Sequence, residues 1–301
     1  MEKTTRSVEL PGVRKEYKDT FFRRLFSEKE TLLDLYNAVN GSQYVNSEEL
    51  EIVTLDNAVY MNIRNDLAFV LDYSLNLYEH QSTYNPNMPL RNLFYVAKEL
   101  SLLVDHNMLY RRSLVKIPTP EFLVFYNGRE EQPSKKYFRL SDAFQKVTED
   151  PALELAVTVL NINDGKNEEL LERCPTLREY MIYVGRIRKY VMEIPIEEAV
   201  DRTIQECIQE GILADFLMKN RKEAIEVSIF EYNEELVIAD IRKDEFRMGK
   251  EEGEERGMAK GEIRLAELTK QLLADQRFEE LENALEDAEY RRKLYEEYEI
   301  E

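Results

Sequence analysis

Asp66–Asp72 (DLAFVLD) and Leu75–Thr83 (LNLYEHQST) read as two short alternating segments, each carrying acidic residues. A period of two marks half-buried strands, in which residues two apart share a face. Asp66, Ala68, Val70 and Asp72 then point one way on the first strand, and Leu75, Leu77, Glu79, Gln81 and Thr83 share a side of the second. With Tyr73 and Ser74 as the loop of a hairpin, Asp72 pairs with Leu75, Ala68 with Glu79 and Asp66 with Gln81. Asp66 lies diagonal to Glu79 on one face in that register, roughly 7–8 Å away between backbones. A slip of one residue would part the two carboxylates. Tyr-Ser lacks the Gly or Asn that a tight hairpin turn favours, so the turn itself does not fix the register.

Around this hairpin the pattern switches between helical and extended. Asp19–Phe26 has helical apolar spacing, and Ser27 with Glu30 reads as a capping box opening a helix over Glu28–Val39, ended by Asn40-Gly41. Glu51–Leu55 and Ala58–Ile63 read as short strands. After the Asn85–Pro89 turn a helix is expected to about Leu109, with Leu93, Val96, Leu100 and Leu103 on its apolar stripe. Phe122–Tyr126, closed by Asn127-Gly128, and Leu153–Ile162 read as buried strands. From Pro175 the pattern is helical over Leu177–Met192, Glu197–Ile208 and Ile212–Asn220, with a charged helical stretch over Glu223–Arg247. The order predicts an α/β fold, a mixed central sheet flanked by helices with a helical C-terminal region.

Four segments follow: a polar, flexible N-terminus over 1–16, an α/β core over 17–175, a helical region over 176–248, and a tail over 249–301. The tail opens with glycine at 249, 253, 257 and 261. Each costs about 1 kcal/mol in a helix relative to alanine, which favours a semi-flexible linker. The acidic segment beyond it suits a surface helix or a homo-oligomerisation hairpin.

Charge changes the picture less than its total suggests. The net charge of −19 argues against a generic nucleic-acid binder, yet residues 1–180 hold 22 Lys and Arg against 28 Asp and Glu, while residues 181–301 hold 19 against 32. Within 86–120 the balance reverses, with Arg91, Lys98, Arg111, Arg112 and Lys116 against Glu99 and Asp105. That cluster is either a basic surface beside the hairpin or an ordinary helix face. Cys174 and Cys207 are distant in sequence and need not pair, which fits a reducing cytoplasm. No segment approaches the roughly 20 apolar residues of a membrane span, and no signal peptide is evident. With two histidines and no cysteine cluster a zinc site is not expected.

Two carboxylates and a carboxamide converging on one point suit a hard cation, which prefers oxygen ligands. Asp66, then Glu79-His80-Gln81, then a helix, resembles the D…(E)xK core of the PD-(D/E)XK nuclease superfamily. The wording LYEHQSTYNPNMPLR, FLVFYNG at 122–128 and VLNIN at 159–163 resembles the Rpn family of recombination-promoting nucleases, also described as YhgA-like transposases, over residues 17–260. The resemblance implies a restriction-endonuclease-like core and a cytoplasmic, Mg²⁺-dependent (or Mn²⁺-dependent) DNA endonuclease with Asp66, Glu79 and Gln81 as catalytic residues. Its metal ligands would be Asp66, Glu79 and the backbone carbonyl of His80, and recombination or mobile-element activity is its implied role. The imidazole of His80 points to the opposite face.

Gln81 stands where the superfamily has lysine, and a neutral amide lacks the charge that lysine would place beside the reacting phosphate. Arg91 and Lys98, seven residues apart on the following helix, are candidates to supply it. The alternative is a catalytically weak or inactive nuclease-fold protein that acts as a binding module. An RNA-directed nuclease is a third reading, because the motif selects no sugar.

Overall fold

A computed structural model describes residues 20–53 and 66–300. The chain forms two units, within residues 1–235 and 236–301. The expected N-terminal segment 1–16 and the expected strand over 58–63 lie outside the described residues.

The first unit is built on a six-stranded mixed sheet. Its strands are β1 (Glu51–Ile52), β2 (Leu67–Leu71), β3 (Ser74–Gln81), β4 (Thr119–Tyr126), β5 (Lys135–Arg139) and β6 (Ala156–Asn161), in the spatial order β1-β2-β3-β4-β6-β5. β3, β4 and β6 run parallel, and the other neighbours are antiparallel. Period-two alternation separates two cores. Leu67, Phe69, Leu71, Tyr78, Leu123 and Phe125 face one side. They pack with α1 (Phe21–Leu25), α2 (Lys29–Asn40), α4 (Glu168–Arg173), α5 (Pro175–Tyr190), α6 (Ile196–Glu210), α7 (Ala214–Lys219) and the first turns of α8 (Arg221–Ala274). Leu75, Leu77, Val124, Tyr126, Val157 and Val159 face the other side and are covered by α3 (Met88–Leu103) through Met88, Tyr95 and Val96.

The hairpin forms, with a corrected turn. Asp72 and Tyr73, at φ 46° and 60°, make the two-residue loop in place of Tyr73 and Ser74. Both central residues are left-handed, the requirement of a type I′ turn that Asp tolerates better than most residues. Leu71 therefore opposes Ser74, Ala68 opposes Leu77 and Leu67 opposes Tyr78. The register sits two residues from the expected one, so every side chain keeps its expected face.

Other elements differ from the sequence expectation for local reasons. α2 begins after Glu28 without a side-chain cap, and the Ser27 hydroxyl donates to the Arg24 carbonyl instead of capping. Gly41 ends it at φ 65° as expected. α3 stops at Leu103, not Leu109, because Asp105 caps a separate short turn over His106–Tyr110. Its buried residues are Met88, Pro89, Asn92, Tyr95, Val96 and Glu99; of the expected stripe Val96 is buried, Leu93 and Leu100 are half-buried against the same core, and Leu103 is exposed. β5 and α4 arise in stretches that carry no strong periodicity.

The second unit has its own small core. Leu268 and Leu272 of α8 pack with Ala284 of α9 (Phe278–Glu286), Leu294 of α10 (Ala288–Glu297) and Ile300. Arg277 joins the segments by ion pairs to Glu280 and Glu297 and a 2.9 Å hydrogen bond to the Tyr298 hydroxyl. Residues 249–261, expected as a linker, lie inside α8, where a Cβ added at any of the four glycines would meet nothing within 4 Å. Among the described residues no helix is long and apolar enough to cross a membrane. Both cysteines are free and buried.

Candidate functional site

The residue just before β2 and the C-terminal end of β3 hold the three residues singled out by the sequence: Asp66 at the first, Glu79 and Gln81 at the second. Continuing the β2–β3 register by one step sets Asp66 opposite Glu79, since Leu67 opposes Tyr78. Glu79 is 2% exposed and lies on the α3 side of the sheet, between Leu77 and Gln81. The two carboxylates are brought together, and the side chain of Gln81 reaches the Glu79 carboxylate from the same face. Asp66 accepts a 2.8 Å hydrogen bond from the backbone N–H of His80, which ties the head of β2 to the end of β3.

The backbone of β3 alternates its hydrogen-bonding edges. The Gln81 carbonyl accepts from the Asn127 N–H at 3.1 Å, so residue 81 faces β4. His80 therefore faces the other edge, as its N–H bond to Asp66 shows, and its carbonyl leaves on that same edge. A main-chain oxygen thus stands on the side of β3 that holds the Asp66 carboxylate.

Charge at the site is incompletely compensated. Burial raises the Glu79 pKa well above the usual carboxylate range, and the charge of Asp66 adds to it. Arg91, the Gln81 side chain and the Asp66 backbone oppose that shift without cancelling it. Asp66 is itself raised to about 6 by burial, against the His80 N–H and the charges of Arg91 and Arg23. Glu79 Oε2 lies 3.5 Å from Arg91 Nη2, while its Oε1 is buried with no hydrogen-bond partner among the described residues. Burial makes the ionised form of such a carboxyl costly, which is why its pKa rises, and a cation is the natural complement that would restore the charge.

Of the two candidate cations on α3, Arg91 reaches the site. Its Nη2 also donates to the Tyr95 hydroxyl at 2.8 Å, which fixes the guanidinium one turn along the helix. Lys98 instead acts on Glu99, whose buried carboxyl is raised to about 7 even so. Of the acids on and before α2, Glu28 pairs with Lys219 at 3.4 Å and Glu30 accepts from the Ser47 hydroxyl at 3.2 Å.

Behind the sheet the His80 ring stacks on Phe22, with centroids 5.1 Å apart, and its Nε2 lies 3.2 Å from the Tyr180 hydroxyl. Burial, then the charge of Arg188, lowers its pKa to about 3, so the imidazole stays neutral and braces the strand. Arg188 Nη1 donates to the Asn127 carbonyl at 2.6 Å and anchors the turn that supports Gln81. The sequence reading assigned no chemistry to this helix, and its brace was hidden because Tyr180 and Arg188 look like ordinary residues of an amphipathic pattern. Arg23 was missed for the same reason.

The donor set fits a hard divalent cation in type: two carboxylates, one of them with a free buried oxygen, beside a main-chain carbonyl. Among the described residues no group of three or more His, Cys, Asp or Glu side chains is placed to hold a metal ion, so any such site depends on the main chain and solvent for its remaining ligands. Comparison of the chain with family models, with curated proteins and with solved structures gives no match in any of the three.

Proposed function

We propose that the protein is a Mg²⁺- or Mn²⁺-dependent DNA endonuclease of the PD-(D/E)XK type, akin to the Rpn recombination-promoting nucleases. The observation that carries this reading is the Oε1 of Glu79, buried and unpartnered among the described residues, beside the raised carboxyl of Asp66. In this reading Asp66, Glu79 and the His80 carbonyl hold the cation. When bound, it supplies a bound water of lowered pKa and neutralises charge on the scissile phosphate.

The remaining work falls to the chain. The His80 N–H holds the Asp66 carboxylate in place. Gln81 orients a water molecule or a phosphate oxygen with its amide but adds no charge. Arg91 supplies the positive charge that lysine provides elsewhere in the superfamily, and Tyr95 keeps it aimed at the site. Preorganised charge of this kind is worth about 10²–10³ in rate.

The experiment is incubation of supercoiled plasmid with the full-length protein, with and without Mg²⁺. Asp66→Ala and Glu79→Ala should abolish divalent-dependent nicking, and Arg91→Ala should slow it about 10²-fold, while Lys98→Ala should leave it unchanged. Nicking that persists in both carboxylate variants would refute the assignment.

One observation favours a second reading. Arg91 already sits 3.5 Å from Glu79, so the site has a partial internal counter-charge and could serve as the frame of a non-enzymatic binding module. Calorimetry separates the two. A nuclease binds Mn²⁺ in a manner lost in Asp66→Ala, whereas the inactive module binds none.

A further inference from the structure

The pairing of four adjacent strands places a cation in line with the acidic site. Glu79 pairs with Val124, Val124 with Val159, and Val159 with Lys136. Residues paired across a sheet share a face, so Lys136 stands on the α3 side of the same row as Glu79. Three strand spacings separate them, about 14 Å between backbones.

Lys136 is held, and it is not neutralised. Its Nζ donates to the Tyr84 hydroxyl at 2.8 Å and lies 4.6 Å and 5.3 Å from the ring centroids of Tyr84 and Phe138. No carboxylate pairs with it among the described residues. An ammonium has three donors, and Tyr84 takes one of them. The side chain borders a cavity of about 380 Å³ between the start of α3 and β5, which Tyr84, Pro89, Phe138, Arg139 and Asp142 also line. Asp142 is the one acid there and accepts from the Arg139 backbone N–H at 3.3 Å, while the Arg139 side chain extends toward Glu154 at 3.9 Å. In a chain of net charge −19, a cavity lined by two cations, one acid and three aromatic residues is a local exception.

We propose that this cavity binds a backbone phosphate of the nucleic-acid strand, a short distance along from the bond that is cut, with Lys136 as the phosphate contact. The inference rests on the nuclease reading for its geometry and adds the place where the substrate strand is gripped. It gives the acidic chain a local route to a polyanion: a single ammonium, fixed in advance by Tyr84 and aligned with the cutting site. Prior fixation lowers the ordering cost of the contact.

The test is anisotropy titration of a fluorescent oligonucleotide with the full-length protein in EDTA, at several salt concentrations, so that binding is read without cleavage. Lys136→Ala should weaken binding about tenfold and reduce the slope of log K against log salt by about 1, as expected for one lost phosphate contact. Lys136→Arg should preserve both. Tyr84→Phe keeps the ring and removes the hydroxyl, and it should weaken binding a few-fold with the slope unchanged. In plasmid nicking, Lys136→Ala should raise KM and leave kcat as in wild type.

Equal affinity and slope in Lys136→Ala and wild type would overturn the proposal. So would inorganic pyrophosphate competing at the affinity of the oligonucleotide, which would mark a small-anion site. Lys136-dependent binding without any nicking would sink the nuclease reading alone, and nicking without Lys136-dependent binding would sink this inference alone.

Discussion

At the scale of single residues, the site is defined by what its acids lack. Asp66 and Glu79 both have folded-state pKa values above their ordinary ones, Asp66 reaching about 6 from 3.8. The metal-free folded state therefore binds protons more tightly than the unfolded chain, and stability must fall as pH rises. For Asp66 the favourable contribution is complete below its unfolded pKa and is lost as pH passes through its folded value of about 6. Asp66→Asn removes the titration and keeps an oxygen that can accept the His80 N–H. In EDTA the variant should gain stability relative to wild type as pH is raised from about 4.5 to 7.5, by on the order of 1–3 kcal/mol. Thermal melts of both proteins across that range measure it, and a constant difference would show that Asp66 is not raised. Excess Mg²⁺ should reverse the ranking, since a bound cation stabilises wild type and has lost a ligand in the variant.

At the scale of elements, the site depends on how closely the ends of β3 and β4 approach. Gly128 follows β4, and a Cβ there would run into the Ser82 carbonyl oxygen and lie 2.6 Å from Tyr126 Cε2. Neither can yield easily, because one is backbone and the other belongs to a ring whose hydroxyl donates to the Glu130 carbonyl at 2.7 Å. Gly128→Ala should therefore cost about 1–3 kcal/mol, the usual range for overpacking. It should lower Tm by several degrees and weaken Mn²⁺ binding in calorimetry, because the strain falls on the segment that follows Gln81. Unchanged Tm together with unchanged Mn²⁺ affinity would show that the two strand ends do not constrain each other.

The same scale shows what the sequence could reveal. Alternation was enough to place Asp66, Glu79 and Gln81 together, because face depends on parity and the register error was an even two residues. The turn was misplaced because a left-handed Asp72-Tyr73 pair carries no glycine to announce it. β5 was illegible: its five residues include three cations, and its strand state is set by pairing with β6, a long-range contact that local pattern does not encode. Lys136 went unnoticed with it. The polar residues Asn92 and Glu99 on the buried face of α3 broke the apolar stripe and displaced the expected one toward Leu103.

At the scale of the whole molecule, two separate units, each with its own core packing, imply two separate responses to heat. Among the described residues, the unit within residues 236–301 rests on five buried apolar residues, and a chain of that size is marginal on burial alone. The unit within residues 1–235 carries both faces of the sheet and the acidic site. Scanning calorimetry of the full-length protein should show a small early transition, roughly 45 kcal/mol at 0.7 kcal/mol per residue, ahead of a larger one. Mg²⁺ binds only the folded form of the site, so it should move the upper transition alone, by an amount that grows with the logarithm of its concentration. The shift should vanish in Asp66→Ala, and the lower transition should be blind to both metal and variant. A single transition that moves as one with Mg²⁺ would mean that the C-terminal helices share the cooperativity of the sheet, and the separation into two folding units would have to be abandoned.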